Sequence, residues 1–278
     1  MWRLLALCLV LFAPCGFAQV RPDAADREAA VPNVLIPIAG EVAGAFGTRF
    51  QTDVTMANRT AVAARVAIFW LPQGRSGSIT VPLRTLTLPP HSTTQFPRFV
   101  SETLGQTGLG AFIARAVNDD GTTNFSGRID VYARIWSPAH TGQGTYSQGV
   151  YGTTLLGPGT DDLQPIHAFV YGLRQDANFR TNYGLVNLMS EPRGFTITVT
   201  GENGSSYARD IMVPGASMIH EPLPPEQHFG ALTIEMMIHY VAPPQVSLPW
   251  AGFASSVDNF TGDAWYSKAQ AAYRNNQP

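Results

Sequence analysis

Two stretches of this 278-residue chain have the same form, and that echo constrains the fold more than any other feature. Phe50-Gln51-Thr52-Asp53-Val54-Thr55-Met56-Ala57-Asn58 and Phe179-Arg180-Thr181-Asn182-Tyr183-Gly184-Leu185-Val186-Asn187 each open on Phe. Each then carries Thr, then Asp or Asn, and closes on Asn. The offset is 129 at both ends (179 − 50 and 187 − 58). A period of that length means two copies of one folding unit, each burying its own apolar faces.

Further matches extend the repeat. Leu35-Ile36-Pro37-Ile38-Ala39 is answered by Leu163-Gln164-Pro165-Ile166-His167 at 165 − 37 = 128, and Gly44 aligns with Gly172. Near the ends, Gly110-Ala111 meets Gly230-Ala231, Thr141-Gly142 meets Thr261-Gly262, and Tyr146-Ser147 meets Tyr266-Ser267, all at 120. The drop from 129 to 120 places a nine-residue loss in the middle of the second copy.

Within each copy the apolar residues alternate with the period of a strand. Val62, Ala64, Val66, Ile68 and Trp70 fall on one face, opposite Ala63, Arg65 and Ala67, with Phe69 as the exception. Phe195, Ile197 and Val199 alternate with threonines, and Asn203-Gly204 then predicts a tight hairpin with both residues at positive φ. Pro97 to Leu104, followed by Gly105, predicts a short helix. The expected fold is all-β: two tandem antiparallel β-sandwiches of immunoglobulin-like or jelly-roll type. A single fourteen-strand barrel explains the repeat less well.

The first residues are read as targeting. Arg3, the apolar run Leu4 to Phe12 and the small-x-small Gly16-Phe17-Ala18 give a signal peptide over 1–18. Both cysteines, Cys8 and Cys15, fall inside it, so the mature chain has no disulfide and no thiolate site. The expected order continues with a leader over 19–32, repeat one over 33–152 and a Gly/Asp-rich linker over 153–162. Repeat two follows over 163–270, with a tail over 271–278. A net charge of −2 offers no field for nucleic acid, and no later stretch suits membrane insertion after signal cleavage.

The motifs Gly-Thr-x-aromatic-x-Thr-Asp-x-x-x-x-Asn (Gly47 to Asn58) and Arg-Thr-Asn-x-Gly-Leu-Val-Asn (Arg180 to Asn187) resemble those of uncharacterised secreted bacterial tandem β-sandwich repeat proteins. The turn Asp258-Asn259-Phe260-Thr261-Gly262-Asp263 is similar to one that closes such repeats. The resemblance spans about Val34 to Lys268 and implies architecture and export, with no activity attached. In the first copy the matching turn, Ala139 to Gln143, lacks both aspartates, so any role of those acids belongs to the second copy.

The repeated Thr52/Thr181, Asp53/Asn182 and Asn58/Asn187 are read as scaffold, their side chains satisfying backbone groups where strands turn. No cofactor is expected: the oxygen-rich turns holding Asp119 and Asp120 and holding Asp258, Asn259, Thr261 and Asp263 are read as hairpin turns without metal, with calcium as the alternative for which they offer ligands. Trp250, Trp265 and Tyr266 are the candidate ligand-binding residues, as rings that could stack on sugars. The six histidines show no zinc spacing and no Gly-x-Ser-x-Gly elbow is present, so an enzyme is not expected. The expected function is that of an exported interaction or adhesion module of the cell envelope or exterior, with a protein or glycan partner. Carbohydrate binding, with or without calcium, is the alternative.

Overall fold

The computed structural model describes residues 33–44, 48–139, 143–154, 167–239 and 249–271. The expected signal peptide and leader, linker positions 155–162 and tail positions 272–278 lie outside the described residues. The first half contains β1 (Asn33–Ala43), β2 (Arg49–Asn58), β3 (Ala64–Pro72), β4 (Arg84–Leu88), β5 (Ser92–Phe96), β6 (Gly108–Val117), β7 (Ile129–Pro138), β8 (Thr145–Tyr151) and β9 (Thr153–Thr154). The second contains β10 (His167–Gln175), β11 (Phe179–Asn187), β12 (Arg193–Gly201), β13 (Ser206–Val213), β14 (Ser217–Pro222), β15 (Gly230–Ile238), β16 (Trp250–Asp258), β17 (Ala264–Lys268) and β18 (Gln270–Ala271).

The fold is all-β, and the two halves share one strand order. In the first, β4-β3-β6-β1-β9 faces β5-β2-β7-β8, and a two-rung ladder between the end of β1 and the start of β2 joins the layers at a corner. In the second, β13-β12-β15-β10-β18 faces β14-β11-β16-β17. All named strand pairs are antiparallel. Each half is thus a five-on-four sandwich, and a small closing strand (β9 or β18) seals the edge beside β1 or β10. Thr153 and Thr154, placed in the linker by composition, are that strand in the first half, paired with Leu35 and Val34. Ala271, placed in the tail, pairs with Ala168.

Register corrects the sequence alignment. β1 and β10 each carry a bulge, between Ile36 and Ala39 and between Val170 and Leu173. The offset there is 170 − 36 = 134, not 128, so the position matching Pro37 is Tyr171, while Pro165 lies outside the described residues. Gly172 correspondingly sits in the β10 bulge with φ +74°, opposite no counterpart of Gly44. Gly230 corresponds to Gly108 (offset 122), for these lie opposite Gln175 and Glu41 and both have positive φ. Tyr266 is not the counterpart of Tyr146: Ser267 pairs with Ala254 as Val150 pairs with Ala133, an offset of 117. Residues are therefore lost at several turns rather than in one block, as expected where exposed connections tolerate deletion.

Local chemistry differs at three predicted elements. The Asn203-Gly204 hairpin has only Gly204 at positive φ; Gly201 accepts from Gly204 N–H at 3.0 Å, giving a type I turn followed by a left-handed glycine. Pro97 to Leu104 narrows to one π-helical turn, Phe99–Thr103, because Arg98 adopts φ +43° and interrupts its start. Val62, read as a strand residue, precedes β3 and is 66% exposed.

The equivalence 175 − 41 = 134 pairs Glu41 with Gln175. Glu41 accepts from Arg98 at 2.6 Å and Arg49 at 2.8 Å, and the Ser101 hydroxyl with these cations holds its carboxyl below the ordinary range despite burial. Gln175 instead donates to the carbonyls of Pro224 and Gln227, because the second copy has a proline-rich turn where the first has the π turn and its arginine.

Candidate functional site

Cross-strand partners share a face of a sheet, so the register separates the two faces of β11. Thr181, Tyr183, Leu185 and Asn187 point into the core of the second sandwich, where Tyr183 and Leu185 are fully buried. Arg180, Asn182, Gly184 and Val186 point the opposite way, toward the first sandwich. There Val186, Leu188, Met218 and Phe253 join the apolar cluster of the first half. Phe253 lies over its cross-strand partner Gly184, where a Cβ would stand 2.0 Å from the ring. It stacks between His220 (5.9 Å, 10°) and Tyr266 (5.8 Å, 29°).

Beyond these rings the seam opens into a cavity of about 380 Å³. The first sandwich contributes Ile38, Val42, Phe50, Leu109 and Ile135 together with Tyr146, Ser147 and Gln148, and the second contributes Arg180, Asn182, His220 and Ser255 together with Pro222, Val257 and Ala264. The Arg180 guanidinium donates to Asn259 Oδ1 at 2.9 Å and has no carboxylate within 4.0 Å among the described residues. Burial pulls its pKa down, and the nearby Asp258 charge opposes that. Asn182 makes no side-chain hydrogen bond among the described residues. Burial pushes His220 down to about 4, so its imidazole is neutral at pH 7. Its Nε2 is buried without a partner, although the residue as a whole is partly accessible.

That shift has a measurable consequence. An unfolded histidine titrates near 6.5, so as pH falls from 7 the unfolded chain takes a proton that folded His220 refuses until about pH 4. Stability is therefore full above the unfolded value and is lost as pH drops through the window between the two. Between pH 7 and 5 the expected loss is at most about 2 kcal/mol. Thermal melts of His220→Gln should show a correspondingly flatter slope over that range.

The repeated polar residues divide by face. Asn58 Nδ2 donates to the carbonyls of Val62 and Pro89, and Asn187 Nδ2 to those of Glu191 and Pro214. Thr52 Oγ1 both donates to and accepts from the Gly40 backbone; Thr181 donates to Arg174 O, while Ser256 takes Arg174 N–H. These four are scaffold. Asp53 also accepts a backbone bond, from Arg98 N–H at 3.0 Å. Its counterpart Asn182 is the exception, for it faces the cavity.

Trp250, Trp265 and Tyr266 do not line one surface. Trp250 is 6% exposed and packs edge-on against Phe195. Trp265 is 36% exposed, packs edge-on against Phe179 and donates to Gly172 O at 2.7 Å. Tyr266, next along the strand, points into the seam. A different ring pair is offered to solvent: Phe169 and Tyr171 on β10, at 6.0 Å and 18°, with Tyr171 52% exposed. They border an open groove with Thr198, Thr200, Thr233 and Glu235. Sequence reading passed over them because an i, i+2 ring pair looks like any strand face.

The acidic turns use their oxygens internally. Asp258 Oδ1 accepts from Phe260 N and Thr261 N, Thr261 Oγ1 accepts from Asp263 N, and Asn259 Oδ1 accepts from Arg180. Asp120 Oδ1 takes both Thr122 donors and Asp119 takes Arg65. No group of three or more His, Asp or Glu positioned to hold a metal ion occurs among the described residues. Added calcium is expected to leave the melting temperature within about 1 °C of its value in chelator; a structural ion bound well above its Kd would raise it by several degrees.

Compared with known protein-family models the chain matches none, and no curated protein matches it either.

Proposed function

We propose that the chain is an exported binding protein of the cell envelope or exterior, an interaction module rather than an enzyme. The observation that carries this reading is the seam. An apolar cluster crosses it, and backbone bonds join Gly74 N–H to Met218 O (2.9 Å) and Gly77 N–H to Ala216 O (3.0 Å). Two sandwiches held by their faces present the loops at their ends at fixed spacing, which suits a module that recognises a partner by shape. The amino-terminal charge-apolar-small pattern supports export, and so does the resemblance to secreted β-sandwich repeat proteins. The test is direct: protein recovered from the producing cell should begin near Gln19 and be retained by envelope fractions. A chain still carrying Met1, confined to the cytoplasm, would overturn the proposal.

The Phe169–Tyr171 pair favours carbohydrate as the second reading. Near-parallel rings beside a row of threonine hydroxyls can meet the apolar face of a sugar and hydrogen-bond its edge. On that reading Tyr171→Ala removes glycan-array binding whereas Trp250→Ala acts only through stability.

A further inference from the structure

We propose that the cavity between the sandwiches binds a small amphipathic carboxylate, its acid group on Arg180 and Asn182 and its apolar body against the wall supplied by the first sandwich. This assignment goes beyond the partner-binding reading and does not depend on it.

The cavity has the size and place of a ligand site: about 380 Å³, between two domains, mostly apolar with a few polar groups. Apart from Tyr146, Ser147 and Gln148, the first sandwich lines it with side chains that offer no hydrogen bond, Ile38, Val42, Phe50, Leu109 and Ile135, which suit the apolar body of a ligand. The opposite wall carries a cation without a touching counter-ion. Arg180 is partly buried and spends only one of its five N–H donors within the fold, on a neutral amide. Its geometry suits a carboxylate, which accepts two parallel N–H bonds. Asn182 follows two residues along the same strand face, about 7 Å away along the backbone, with a free amide to complete the contact.

The charge balance selects among anions. His220 is neutral, and Arg180 is the only charged side chain lining the cavity among the described residues. Asp258 already offsets part of the arginine's field. A monoanion fits this balance; a phosphate dianion would leave a charge uncompensated in an apolar enclosure, and an amine would meet Arg180 unfavourably.

The test is calorimetric titration of the purified protein with hexanoate, octanoate, decanoate and dodecanoate, each beside its matching alcohol and amine. At least one acid should bind one-to-one and about tenfold more tightly than its alcohol, the amine not at all. Arg180→Gln should weaken the acid roughly 10- to 100-fold while leaving the alcohol within about twofold. Should that variant melt early, Asn182→Ala breaks no side-chain hydrogen bond among the described residues and should weaken the acid several-fold. Ala264→Leu, projecting from the cavity wall, should remove acid and alcohol together. Equal affinity for acid and alcohol, wild-type acid binding by Arg180→Gln, or no acid binding at millimolar concentration would each overturn the assignment.

Discussion

Asn187→Ala is expected to lower the unfolding free energy by about 4 kcal/mol, with a fall in melting temperature of roughly 10–20 °C. Its Nδ2 donates to Glu191 O at 2.8 Å and Pro214 O at 3.0 Å, with Val213 O at 3.2 Å alongside, and its Oδ1 accepts from Met189 N at 3.0 Å. Asn187 is fully buried, so alanine leaves several backbone groups without partner or water. Each such group costs about 1–3 kcal/mol, and the turns on either side of β12 and β13 lose their common tie. Asn58→Ala should act alike in the first sandwich. Asn187→Asp is the informative control: it keeps the acceptor for Met189 but turns a charged oxygen toward carbonyls, so it should be no better than alanine at neutral pH. A change below about 3 °C on circular-dichroism melting would show that water replaces these bonds.

Phe253→Ala is the second large effect, about 3–5 kcal/mol. The ring is fully buried and belongs to the second sandwich by sequence but to the first cluster by contact. Its loss leaves a hole over Gly184, between His220 and Tyr266, that neither neighbour can fill from its own strand. The wild type should unfold in one calorimetric transition because each half supports the other. In the variant the halves should separate into two transitions, the lower one early. A single transition moved by under about 3 °C would mean that the seam contributes little.

The sandwich class was legible because Thr52, Asn58, Thr181 and Asn187 must be polar to tie turns and must recur at one offset to do so twice. Alternation along Phe195 to Thr200 was legible for a similar reason: one face meets a core and the other water. Phe69 was the warning that this logic fails elsewhere. With Leu71, Ala111 and Ile113 it lies on the second face of its sheet and is buried too, so those strands read as apolar runs rather than alternations. Backbone equivalence was hidden where no side chain enforces it. His91 and Ala216 both have φ near +46° and donate N–H to Thr60 O and Met189 O, yet share no side-chain chemistry. The candidate site escaped for a different reason. Asn182 sits inside the repeat that marks scaffold, and only the register shows it facing outward beside Arg180.

The main-chain bonds from the segment after β3 to β14 occupy the outer rim of a four-stranded layer. If a protease or an engineer released the second half alone, that rim would stand bare, with Met218 and Phe253 uncovered beside it. An unpaired β margin next to greasy surface recruits another copy of itself. The liberated half should accordingly dimerise or precipitate, and the first half serves as its built-in chaperone for as long as the two remain one polypeptide.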